Sequence, residues 1–118
     1  MKKLVLLVGL LIAFSANARD CESEANNGGM SAMRSCLIEE SEKPMTAAYN
    51  YLIKILGANQ DAISAIKQAQ IDWEKFKVST CNYVYTLDGL DESANCQVEF
   101  NTARAKMLNL YAKQANKQ

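Results

Sequence analysis

Residues 68–81 read QAQIDWEKFKVSTC and place the only tryptophan of the chain, Trp73, three residues before Phe76 and eight before a cysteine, Cys81. Extended back to Ile63, the residues Ile63, Ile66, Ala69, Gln70, Trp73, Phe76 and Thr80 step by threes and fours. That spacing stacks side chains on one face of an α-helix. A Trp and a Phe at helical spacing pack against neighbouring elements far more often than they form a reactive site. The stretch therefore predicts a helix whose Trp73 faces inward and whose Cys81 ties its far end to a neighbour.

The same period runs outward in both directions. Met45, Ala48, Tyr49, Leu52, Ile53 and Leu56 form a broad apolar stripe that stops at Gly57, and Asn59 or Asp61 is placed to cap the helix that follows. Earlier, Met30, Met33 and Leu37 begin the helical pattern, with ESEANNGG after Cys21 as a polar lead-in. Pro44 either starts a new helix, with Ser41 as its cap, or kinks a longer one. Downstream, Tyr83 to Tyr85 extend the Trp73 helix and Asp88-Gly89 turns the chain; Asp91 or Ser93 is the expected cap of a last helix. There Cys96, Phe100, Ala103, Met107 and Leu110 share one face, and the tail KQANKQ frays. No internal repeat or linker stands out. The predicted fold is all-α, a small antiparallel bundle of three to four helices stapled by two disulfides, with Leu37, Tyr49, Leu52, Leu56, Ile66, Trp73, Phe76, Phe100, Met107 and Leu110 in the core.

The chain begins MKKLVLLVGLLIAFSANA, two lysines ahead of an apolar run from Leu4 to Phe14 and a small-residue end at Ala16-Asn17-Ala18. This reads as a signal peptide over residues 1–18, followed by a single domain over 19–118. The apolar run, about 16 Å as a helix, is too short to span a bilayer. Cys21 follows Ala18-Arg19-Asp20 rather than a small-residue box, so no lipid anchor is expected after cleavage. All four cysteines, Cys21, Cys36, Cys81 and Cys96, lie beyond the leader, as in small exported domains held by disulfides. Four cysteines allow three pairings, and sequence alone does not choose among them. Sequential pairing, Cys21 with Cys36 and Cys81 with Cys96, is the favoured one; each would close a loop worth about 3 kcal/mol in the chain-entropy model.

Several chemistries are poorly supplied. There is no histidine, the cysteines are expected to be oxidised, and the cysteine spacing does not suit zinc, so no enzyme, metal or cofactor is expected. Thirteen basic residues balance thirteen acidic ones; losing Lys2 and Lys3 with the leader leaves eleven against thirteen, and no basic cluster is present for nucleic acid. The acidic residues Glu39, Glu40 and Glu42 near Pro44, and Asp88, Asp91 and Glu92 in the last turn, read as solvated helix edges rather than catalytic pairs. Arg104 on the last helix is expected in a structural ion pair with Glu42 or Asp72.

Taken together, Gln70-x-x-Trp73-x-x-Phe76-Lys77, then Cys81, Cys96 and Arg104, preceded by Cys21, Met33-x-x-Cys36 and Tyr49 with Leu52, resemble the LprI-like lysozyme-inhibitor family of small exported bacterial proteins. The resemblance runs from Cys21 to about Leu108. Its pattern commonly has an arginine and an acidic residue where this chain has Lys77-Val78, a threonine where it has Asn101, and continuous helix where it has Pro44. The resemblance implies a periplasmic or secreted protein that blocks a lysozyme-type muramidase by protein contact. The alternative is a periplasmic structural or immunity-type partner-binding module without a lysozyme target. The acidic turn at Asp88, Asp91 and Glu92, or the edge at Glu39 and Glu40, is the expected partner-contacting surface.

Overall fold

The computed structural model describes residues 19–117, so the leader expected at residues 1–18 lies outside the described residues. Three helices follow one another: α1 (Cys21–Leu56), α2 (Gln60–Asp88) and α3 (Leu90–Asn116). No strand occurs among the described residues. The fold is the all-α bundle expected from the sequence, and three helices suffice because Pro44 sits within α1 instead of opening a new helix.

The chain falls into two compact units that part between Cys36 and Leu37. In the first, helix begins at Cys21, well before the expected start near Met30. Asp20 explains the early start: its Oδ1 accepts the backbone N–H groups of Glu22 and Ser23 at 3.1 and 3.2 Å, satisfying donors that a helix start leaves unpaired. The polar ESEANNGG run is thus helical nearly to its end, where Gly29 adopts φ 76° and ψ −166°. That break is what permits the first disulfide. In an uninterrupted helix, residues fifteen apart would stand about 22 Å from one another, whereas the Cα atoms of Cys21 and Cys36 are 5.5 Å apart. The chain must reverse at Gly29, in backbone geometry that residues with a Cβ rarely adopt.

The second unit contains the same device. Cys81 and Cys96 are also fifteen apart and joined, with Cα atoms at 5.6 Å, and Gly89 between them has φ 91° and ψ −169°. In both hairpins the glycine comes eight residues after the first cysteine and seven before the second. Two cystine-closed helical hairpins of identical spacing are therefore present, although no repeat stood out in the sequence. The disulfides follow the favoured sequential pairing. Gly89 itself occupies the cap position of α3, where no side chain caps. Asp91 and Ser93 do not serve as the expected cap; the Ser93 hydroxyl donates instead to the Cys81 carbonyl at 3.0 Å, across the hairpin. Asn59 does cap α2, its Oδ1 accepting from the Ala62 N–H at 3.1 Å.

The core of the second unit joins Met45, Ala48 and Leu52 of α1 to Ala105, Leu108 and Ala112 of α3, with Trp73, Ile66 and Tyr111 packed against it. The buried face of α3 is thus Ala94, Asn101, Ala105, Leu108 and Ala112, one residue, or about 100°, away from the expected Phe100–Met107–Leu110 stripe. Four expected core residues, Leu37, Phe76, Met107 and Leu110, prove to be exposed. Phe76, at 63% exposure, departs furthest, and it meets Phe100 edge-on with ring centroids 5.6 Å apart. The physical reason is that α3 turns its alanines to the core: Ala105 and Ala112 flank Leu108 on the buried face, which leaves Met107 and Leu110 on the outer one.

Two polar side chains are buried together with this core. Lys77 is 3% exposed and Asn101 not at all. The Lys77 ammonium donates to Asn101 Oδ1 at 3.2 Å, the Asn101 amide donates to Ser41 Oγ at 2.9 Å, and Ser41 Oγ donates to the Ile38 carbonyl at 2.6 Å. Ser41 therefore does not cap a helix; it ends a chain of donors running from α2 through α3 to α1. Lys77 and Asn101, two of the positions at which the sequence departs from the pattern it resembles, are hydrogen-bonded to each other.

Candidate functional site

Around Trp73 the motif residues separate into two sets. Gln70, Trp73 and Lys77 lie at i, i+3 and i+7 and converge, while Phe76 points away. The Lys77 Nζ sits 4.9 Å from the indole centroid and the Arg104 Cζ 5.7 Å from it, so two cations lie against one ring. The Arg104 Nε donates to Gln70 Oε1 at 2.9 Å, and Gln70 Nε2 in turn reaches Met45 Sδ at 3.2 Å. Gln70 thereby ties all three helices at one level, and the stretch is a brace. Arg104 is not paired with Glu42 or Asp72 as expected. A carboxamide took that place because Gln70 lies one helical turn before Trp73, directly under the guanidinium; Asp72 accepts from Gln68 instead. Arg104 Nη2 is buried with no hydrogen-bond partner among the described residues.

The acidic candidates fall in two places. Asp88, Asp91 and Glu92 surround the one-residue turn at Gly89, where Leu87 and Leu90 are exposed at 63% and 57%. The result is a narrow hairpin end with apolar side chains at its tip and carboxylates on its flanks. The Cys81–Cys96 disulfide and the Ser93 hydroxyl hold it from behind. Glu39 and Glu40 lie on α1 just before Ser41; Glu39 is exposed and Glu40 pairs with Lys43 at 2.6 Å. Along α2, the exposed Phe76, Tyr83 and Leu87 are spaced i, i+7, i+11, a ridge leading from the Phe100 contact to the tip.

A groove of about 750 Å³ lies at the other end of α2, where α1 passes into α2 and α3 finishes. Leu52, Ile55 and Leu56, the alanines at 62, 65 and 69, and Ile66 form much of its wall, with Tyr111 opposite; Arg104 is the only charged residue in the lining. The sequence reading missed this feature, because it arises from small residues on α2 facing larger ones on α1. Among the described residues no three His, Cys, Asp or Glu side chains are grouped to hold a metal ion, and no helix is long and apolar enough to cross a membrane.

A family model described as Lysozyme inhibitor LprI matches residues 21–108, three quarters of the chain. The protein belongs to the LprI lysozyme-inhibitor family. The match opens at the first cysteine of the first hairpin and closes at Leu108, the most deeply buried leucine of α3, so it spans both cystine hairpins and the Trp73 brace of this LprI-family chain. Searches of curated proteins and of solved structures returned no match. Family membership agrees with a protein-binding role, and the two disulfides agree with an oxidising compartment.

Proposed function

We propose that the protein is an exported inhibitor, periplasmic or secreted, that occupies the substrate cleft of a lysozyme-type muramidase with the hairpin end around Gly89. Family membership carries the choice of target. The shape and charge of the hairpin end carry the choice of surface. Leu87 and Leu90 supply an apolar contact, and Asp88, Asp91 and Glu92 supply a negative rim suited to a basic partner. Rigidity supports the same reading, because a wedge held by a disulfide and a single glycine turn loses little conformational freedom on binding. Tyr83 and Phe76 extend the contact along α2, and Glu39 and Glu40 offer a second acidic edge. No catalytic role is assigned to any of these carboxylates.

A second reading, a partner-binding module with another envelope target, is favoured by the exposed Phe76–Tyr83–Leu87 ridge, since aromatic residues on a surface are typical anchors of protein contacts. Lysis of cell walls by several lysozymes, measured with the purified oxidised protein added, separates the two. Inhibition at a stoichiometric dose supports the first reading. Undiminished lysis by all of them at micromolar excess removes it and leaves the second.

A further inference from the structure

The hairpin end leaves the groove beside Arg104 unused, and its chemistry differs. We propose that this groove binds a monocarboxylate with an apolar chain, a ligand of the fatty-acid type. Its walls are mostly aliphatic, with the amides of Asn59 and Gln114 and the ring of Tyr111 among them, and its single charge is positive, which is the pattern of a site that sequesters a chain and fixes one anionic head. The state of Arg104 specifies that head. Among the described residues Arg104 donates only through Nε, to Gln70; Nη2 is buried without a partner, and no carboxylate pairs with the guanidinium. With Nε donated to Gln70 and Nη2 buried, Nη1 is the guanidinium edge left to the groove, able to meet an oxygen of an anionic head through a charge-assisted hydrogen bond. The guanidinium already lies over the Trp73 ring, its Cζ 5.7 Å from the centroid, so its charge is held in position before a ligand arrives.

The dimensions agree. From Asn59 to Ala69, which border the groove along α2, the helix rises about 15 Å, and the alanines at 62, 65 and 69 leave that length open. A basic muramidase would find nothing to attract it to an uncompensated arginine, and the groove lies at the opposite end of α2 from Gly89. The two sites are therefore separable.

Trp73, the sole tryptophan, reports on Arg104 directly. Laurate, laurylamine and neutral lauryl maltoside are titrated, each below its micelle concentration, into the oxidised protein while Trp73 emission is followed. Saturable binding of laurate, with laurylamine and lauryl maltoside at least about tenfold weaker, is expected, the loss matching the roughly 1.4 kcal/mol or more of a charge-assisted contact. Arg104→Gln should weaken laurate by a similar factor, Arg104→Lys by less, and Ala65→Phe, which fills the groove without touching the guanidinium, should abolish binding while helicity is retained. Laurylamine binding as tightly as laurate would overturn the proposal. So would the absence of saturation, or unchanged laurate binding by folded Ala65→Phe, a variant that remains informative even if the Arg104 variants do not fold.

Discussion

Asn101→Ala would remove the middle of the polar chain that links the three helices. The side chain is wholly buried and makes two hydrogen bonds, accepting from the Lys77 ammonium and donating to Ser41. A bond to a charged group contributes about 1.5–3 kcal/mol and a neutral one about 1 kcal/mol, so a loss near 3 kcal/mol is expected. Lys77 would keep its contacts with Glu74 and Trp73, which limits the further cost of a stranded charge. Against the roughly 5–15 kcal/mol that stabilises a typical domain, the change is large. In urea, with a slope of about 1–3 kcal/mol per molar, the midpoint read from Trp73 fluorescence should fall by roughly 1–3 M. The decisive comparison is a cycle. Lys77→Met alone strands the Asn101 carbonyl oxygen and should cost about 1–3 kcal/mol, whereas Lys77→Met with Asn101→Leu removes both polar partners and should be far milder than the two single changes added. Additivity of Lys77→Met and Asn101→Leu within about 0.5 kcal/mol would refute the buried pair.

Three further outcomes follow from the packing. Trp73→Ala should cost about 3–5 kcal/mol by leaving a cavity beneath two cations, measurable as a collapse of the thermal midpoint by circular dichroism. Phe76→Ser should leave the urea midpoint within about 0.5 kcal/mol of wild type because the ring lies on the surface; a loss of several kcal/mol would mean that it is buried. Replacing Cys81 and Cys96 together by serine should cost about 3 kcal/mol and weaken lysozyme inhibition beyond what stability explains, as judged by inhibition assays at a temperature where the variant remains folded.

The helices, their glycine stops and the inward Trp73 could be read because each rests on local chemistry: a 3.6-residue period, a cap such as Asn59, or a turn such as Asp88-Gly89. The α3 face could not. Its buried residues include Ala105, Ala112 and Asn101, all less apolar than the exposed Met107 and Leu110, so side-chain hydrophobicity points to the wrong side of the helix. Lys77 was hidden for a related reason, since a lysine signals surface unless its partner, twenty-four residues away, is known. The paired hairpins were written in the shared cysteine and glycine spacing, but the intervening residues differ, CESEANNGGMSAMRSC against CNYVYTLDGLDESANC, and only the φ values of Gly29 and Gly89 reveal a common turn. At the candidate site, the acidic residues were visible while the exposure of Leu87 and Leu90 was not, because a leucine beside a turn carries no local signal of which way it faces.

Direct binding of a muramidase to three forms of the oxidised protein tests the account at its centre: wild type, a hairpin-end variant with Leu87→Ser and Leu90→Ser, and the groove variant Ala65→Phe. Calorimetry should show a one-to-one complex for wild type and for the groove variant, and loss of heat for the hairpin-end variant at unchanged thermal midpoint. Equal affinity in all three forms would contradict recognition through the end of the second cystine hairpin.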